Sequence, residues 1–86
     1  MEQEYQVLTL LQDNENTTQR TIATSTGLSL GAVNLLLKKM ARKGLIKMER
    51  LNRRTVRYIL TPRGLSEKAT LAYNYIRQSA KHIIRI

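Results

Sequence analysis

With 86 residues and no cysteine, the chain allows one small domain with one modest core, and it excludes disulfides, thiolate metal sites and an elaborate buried active site. Its formal net charge is +9, from 15 Lys and Arg against 6 Asp and Glu, which points to a polyanionic partner. No apolar run approaches the length that crosses a bilayer, and residues 1–12, with Glu2 and Glu4 and no cation, are the reverse of a signal peptide. The expectation is a soluble cytoplasmic protein with no membrane partner.

In chain order, residues 2–12 place Val7, Leu8 and Leu11 at helical spacing, with Leu10 widening the stripe, and the run Asp13-Asn14-Glu15-Asn16 stops the pattern. Thr17 or Thr18 can cap a second, two-turn helix that runs through Ile22 and Ala23 and ends near Gly27. Ser29 suits the N-cap of a third helix that extends to Lys43, where Gly44 stops it. Inside that helix Val33, Leu36, Leu37 and Met40 fall at i, i+3, i+4 and i+7 and define a buried face. Gly31, Asn34, Lys38 and Arg42 lie on the other.

After Gly44 the period changes to two. Residues 45–51 and 54–60, rich in Ile, Met, Val, Tyr and Leu and interrupted by Asn52-Arg53, read as a β-hairpin with cations at its tip. Thr61-Pro62, a hydroxyl cap followed by proline at the first helical position, then opens a long fourth helix. Along it Leu65, Ala69, Ala72, Ile76, Ser79, Ile83 and Ile86 follow alternating steps of four and three, the spacing of a helix–helix seam. To about Ala72 this seam is expected to pack on the chain's own first helix. For Ile76, Ile83 and Ile86 that short helix offers too little cover, so a second copy of the chain, or a further C-terminal domain, is expected there. The expected division is one domain over residues 1–64 and a dimerisation or docking helix over 65–86.

Charge is segregated along the chain. Residues 38–63 carry Lys38, Lys39, Arg42, Lys43, Lys47, Arg50, Arg53, Arg54, Arg57 and Arg63 against one acid, Glu49, whereas four of the six acids precede residue 17. A solvating coat has no reason to be so uneven, but a surface that meets nucleic acid does. Lys39, Arg42 and Lys43 also suit the carboxyl end of a helix through its dipole.

Three helices followed by a two-stranded hairpin, the second and third joined by a tight turn, form a winged helix-turn-helix. The stretch "TTQRTIATSTGLSLGAVNLLLKKMARKGLIK" resembles the helix-turn-helix of MarR-like regulators, in which Ser opens the recognition helix and a Lys-Gly-Leu-Ile segment leads into the wing. "NRRTVRYILTPRG" resembles that family's wing, with its arginine pair, alternating apolar residues and Leu-Thr-x-x-Gly. Within the group, "TTQR", "SLGAVN" and "YILTPRGLSEKA" are most similar to short winged-helix regulators associated with exopolysaccharide gene clusters. The resemblance covers residues 5–75. Full MarR proteins are longer, with an extra N-terminal helix in the dimer interface, and Asn52 stands where the family often has an Asp that braces the wing through a salt bridge. Nothing in the sequence matches a ligand-sensing cysteine or a phenolic-acid pocket.

The expected fold is therefore mainly α with a small β-hairpin, a winged helix-turn-helix with a long C-terminal helix. The expected partners are double-stranded DNA and a second copy of the chain. Recognition helix 29–43 would enter the major groove, with Gly31 admitting the backbone close to the DNA and Asn34 pairing with an adenine edge. Ser29 and the helix N-terminus would hold phosphate, helped by Thr18, Gln19 and Thr26, although Ser29 is also explained as an N-cap and Asn34 as an exposed polar residue. Lys38 would touch backbone, and Arg53 and Arg54 at the tip of wing 46–60 would reach the minor groove. Ala69, Ala72, Ile76, Ser79, Ile83 and Ile86 would form the dimer interface.

Catalysis has little support. His82 is the single histidine and has no acidic neighbour, the carboxylates form no pair at ligand spacing, and no glycine-rich phosphate loop is present, so neither cofactor nor metal is expected. Tyr58, Tyr73 and Tyr75 read as core or interface residues rather than stacking platforms for single-stranded RNA. The alternative to a DNA-binding regulator is a winged helix used as a protein-interaction module or as the N-terminal part of a larger enzyme. Concentrated cations on both recognition helix and wing favour DNA.

Overall fold

A computed structural model describes residues 2–14 and 16–84, with the side chains of residues 3–14 and 16–79. Its elements in chain order are α1 (Glu2–Asp13), α2 (Gln19–Thr26), α3 (Leu30–Arg42), β1 (Ile46–Arg50), β2 (Val56–Leu60) and α4 (Pro62–Ile84). The arrangement is mainly helical with one antiparallel hairpin, as the sequence patterns imply.

The helix ends follow from local chemistry. Thr18 and not Thr17 caps α2, accepting from the Thr21 N–H at 3.1 Å. Thr17 is buried and donates to the Asn14 carbonyl at 2.7 Å, fastening the end of α1 to the start of α2. Gly27, at φ 77°, terminates α2 with its N–H on Ala23 O, and Ser29 caps α3 by accepting from the Ala32 N–H at 3.1 Å. At the far end of α3, Gly44 at φ 78° donates to Ala41 O and Leu45 donates to Met40 O, each at 3.0 Å. That paired closure satisfies two carbonyls the helix would otherwise leave open.

The apolar stripes meet in one core. Val7, Leu8 and Leu11 of α1, Ile22 of α2 and Val33, Leu37 and Met40 of α3 are buried together with Leu45, Ile46 and Tyr58 from the hairpin. Leu36 packs against this cluster, so all four apolar positions expected on α3 face inward. Glu4, 4% exposed, sits at the edge of the core and pairs with Lys43 Nζ at 3.2 Å, tying α1 to the end of α3. One of the expected interface cations is thereby occupied by the fold itself.

The hairpin is shorter than the period-two pattern implies. Its strands pair Ile46 with Leu60 through Arg50 with Val56, leaving residues 51–55 as the connection. The reason is Asn52, whose Oδ1 accepts from the N–H groups of Arg54 and Thr55, each at 2.9 Å, and holds both out of the ladder. Asn52 therefore braces the wing by a side-chain turn, where an Asp would be expected to use a salt bridge.

Thr61 joins wing to last helix. Its Oγ1 accepts from the Gly64 N–H at 3.0 Å as the cap of α4, and its hydroxyl lies 2.7 Å from Gly44 O and 2.9 Å from Leu45 O. Gly64 is buried so closely that a Cβ built on it would stand 2.1 Å from Leu45 O. This explains the spacing of the Leu-Thr-x-x-Gly motif.

Helix α4 corrects one expectation. Leu71, not Leu65 or Ala69, packs on the core; Leu65 and Ala69 are exposed, and Ala72 is half-buried. Lys68 donates to the Gln12 side chain beside this contact, so the face that meets α1 is the one through Lys68 and Leu71. With 23 residues against 12, α4 is longer than α1 by roughly 16 Å at 1.5 Å per residue. Tyr73 at 64% and Tyr75 at 73% exposure, together with Ile76 and Ser79, are left uncovered, so neither tyrosine is a core residue. The side chain of Ile83, and all of Ile86, lie outside the described residues.

Candidate nucleic-acid interface

The turn between α2 and α3 fixes the presentation of the recognition helix. Leu28, between Gly27 and Ser29, packs against the core and anchors the turn from inside. The backbone then swings out so that α3 buries the stripe through Val33 and Met40 and turns Gly31, Leu35, Lys38 and Arg42 outward, all exposed. Asn34 lies on the flank of that outward face and is half-buried. Gly31 has nothing within 4 Å of where a Cβ would stand, so packing does not require a glycine there.

The candidate phosphate contacts differ in what they have left to give. Ser29 Oγ accepts from the Ala32 N–H, which leaves its own proton free to donate outward. Thr18 Oγ1 accepts from the Thr21 N–H and shares a second bond with Thr21 Oγ1 at 3.0 Å. Thr26 donates to Ile22 O at 2.7 Å and accepts from the Leu28 N–H, so its hydroxyl serves the turn. Gln19 donates one amide proton to the Tyr58 hydroxyl at 2.9 Å and retains a second.

At the wing tip Arg53 and Arg54 are both exposed, and Arg50 Nη1 reaches back to Arg53 O at 3.3 Å. Lys38, Lys39, Arg42, Arg53 and Arg54 form no ion pair with a described residue. Uncompensated cations thus occupy both recognition helix and wing, with polar small residues between them, an arrangement suited to a duplex backbone on either side of a groove.

Two features escape a reading of the sequence alone. The Gln19–Tyr58 bond joins residues 39 apart, and no local pattern announces it. Leu35 is the most exposed apolar residue of α3, and its signal is the spacing, four residues after Gly31 and three before Lys38. Among the described residues no group of histidine, cysteine and carboxylate side chains could hold a metal ion, and no helix is long and apolar enough to cross a membrane.

Residues 2–47 match the model of the winged helix-turn-helix DNA-binding family, and the chain belongs to that family. Its fold is shared with MarR-family regulators. MepR, a transcription regulator of the Staphylococcus aureus multidrug efflux pump MepA, superposes with a TM-score of 0.83 at 21% identity, over 98% of this chain and 64% of that one. A MarR-family transcriptional regulator from Rhodococcus gives 0.80 at 21% identity, over 93% and 58%. A variant of Lactococcus lactis ZitR, solved in complex with DNA, gives 0.74 at 26% identity, over 93% and 56%. The chain therefore spans less than two thirds of the length of these solved proteins. No curated protein matches the sequence.

Proposed function

We propose that the chain is a sequence-specific double-stranded DNA-binding transcriptional regulator of the MarR-like type, acting in the cytoplasm as a homodimer by occupying a promoter, without catalysis. Helix α3 lies in the major groove and the wing, residues 46–60, beside the minor groove. The observation that carries this reading is the pairing of an outward face through Gly31, Lys38 and Arg42 with a cationic wing tip, none of whose cations is spent on a described acid. A module that docks proteins has no need of that charge on both elements.

In this reading Ser29, Thr18 and the second amide proton of Gln19 hold phosphate, Thr26 reaches phosphate only by giving up its bond to Ile22, and Lys38 touches backbone. Asn34 pairs with an adenine edge from the flank of α3, and Arg53 and Arg54 follow the minor groove. Residues 1–64 form the DNA-binding unit. Residues 65–86 join two copies through Ala69, Ala72, Ile76, Ser79, Ile83 and Ile86, so that two recognition helices address half-sites about 10 base pairs apart or a multiple of that. The motifs "SLGAVN" and "YILTPRGLSEKA" support the finer assignment to the short exopolysaccharide-associated regulators.

Selection of bound sequences from random duplex DNA tests the proposal. Enrichment of a two-fold symmetric pair of half-sites is expected. Retention without enrichment removes sequence specificity, and no retention at low salt removes DNA as the partner.

A further inference from the structure

The outward face of α3 carries one residue that attraction for phosphate does not explain. Leu35 is 69% exposed in the middle of a face otherwise made of Gly31, Lys38 and Arg42. Successive helical residues turn by about 100°, so Leu35 stands about 200° from each of the buried Val33 and Leu37 and points away from the core. A leucine in a helix leans back over the turn of residue i−4. Here that residue is Gly31, which has no side chain and whose would-be Cβ position has no atom within 4 Å, so the surface beside Leu35 is open. Leu35 is thus an exposed apolar side chain on a cationic face, with open space on the side of Gly31.

The major groove presents one apolar group, the C5-methyl of thymine. We propose that Leu35 reads thymine by packing on that methyl, with Gly31 leaving the room the base edge needs. The inference rests on the DNA-binding reading above. Asn34, adjacent in sequence and set on the flank of the same face, then addresses an adenine edge while Leu35 addresses a methyl, so the two together select an A·T-containing step. A 5-methylcytosine at the same position carries the same methyl and is bound more tightly there than cytosine.

The test compares wild type and Leu35→Ala on the selected duplex and on versions in which single thymines are replaced by deoxyuridine, which lacks only the methyl. Wild type loses about fourfold in affinity at one position per half-site, and about fifteenfold when both half-sites are changed. Leu35→Ala binds the thymine and deoxyuridine forms of that position equally. Its melting temperature stays within a few degrees of wild type, because an exposed helical leucine is replaced by the best helix former. If the deoxyuridine loss is the same in both proteins, or no position responds to loss of the methyl, the assignment of Leu35 is overturned while DNA binding stands. If neither protein retains any duplex, the DNA reading itself fails and the inference goes with it.

Discussion

Gln19, the first residue of α2, donates its side-chain amide to the hydroxyl of Tyr58 in the middle of β2, at 2.9 Å. The Tyr58 ring is part of the core, so the bond holds the wing at a fixed angle to the helix-turn-helix. Tyr58→Phe keeps the ring and removes the hydroxyl. Stability is expected to fall by about 0.5–1.5 kcal/mol, read as a lower urea midpoint at unchanged slope. DNA affinity should fall as well, because wing and recognition helix no longer share one rigid frame. An unchanged midpoint and affinity would show that the bond contributes nothing.

Two glycines on this chain should answer the same substitution in opposite ways. At Gly64 a Cβ would stand 2.1 Å from Leu45 O and 2.7 Å from Leu60 Cδ1, so Gly64→Ala must push the wing from α4 and is expected to lose about 2 kcal/mol or more. At Gly31 the space is open, and Gly31→Ala should leave stability unchanged or raise it by up to about 1 kcal/mol. Duplex affinity should nonetheless drop for Gly31→Ala, since the added methyl occupies the side that faces DNA. Thermal unfolding and a binding titration on each variant check both halves.

The exposed segment of α4 carries the oligomer prediction. Ile76 is 65% exposed, so Ile76→Asp should leave the single chain folded while placing a charge in the proposed apolar seam. Sedimentation should then report a monomer where wild type is a dimer, and affinity for a paired half-site should fall. A wild type that is monomeric at high concentration would remove the seam.

How much of this was legible in the sequence depends on whether the determining interaction is local. Thr18, Ser29 and Thr61 as caps, and Gly27 and Gly44 as stops, act within four residues of themselves, so the boundaries of α2, α3 and the start of α4 can be read directly. The hairpin ends could not, because the Asn52 side chain and not the apolar alternation decides where pairing stops. The first half of the α4 seam misled because two stripes compete on one helix, and spacing alone does not tell which of Leu71 or Ala69 faces α1. In the candidate site the cations, Gly31 and Ser29 were visible as residue types, whereas the Tyr58 contact and the outward aim of Leu35 are consequences of packing.

Reading and holding are separable on this surface. Asn34→Ala is expected to lose about 1–3 kcal/mol on the preferred site and to relax preference at one position, with little change in salt dependence. Arg53→Ala combined with Arg54→Ala should weaken binding to preferred and scrambled duplexes alike and make the salt dependence shallower. If Asn34→Ala weakens both duplexes equally, the helix does not read bases at that point.

The most direct test of the central claim is a titration of duplex DNA at several salt concentrations. Each phosphate neutralised contributes roughly −0.9 to the slope of log affinity against log salt, so a dimer making about eight such contacts through α3 and the wing should give a slope near −7. A chain that binds no duplex even at low salt, or whose binding does not respond to salt, would contradict the assignment of this cationic surface to DNA.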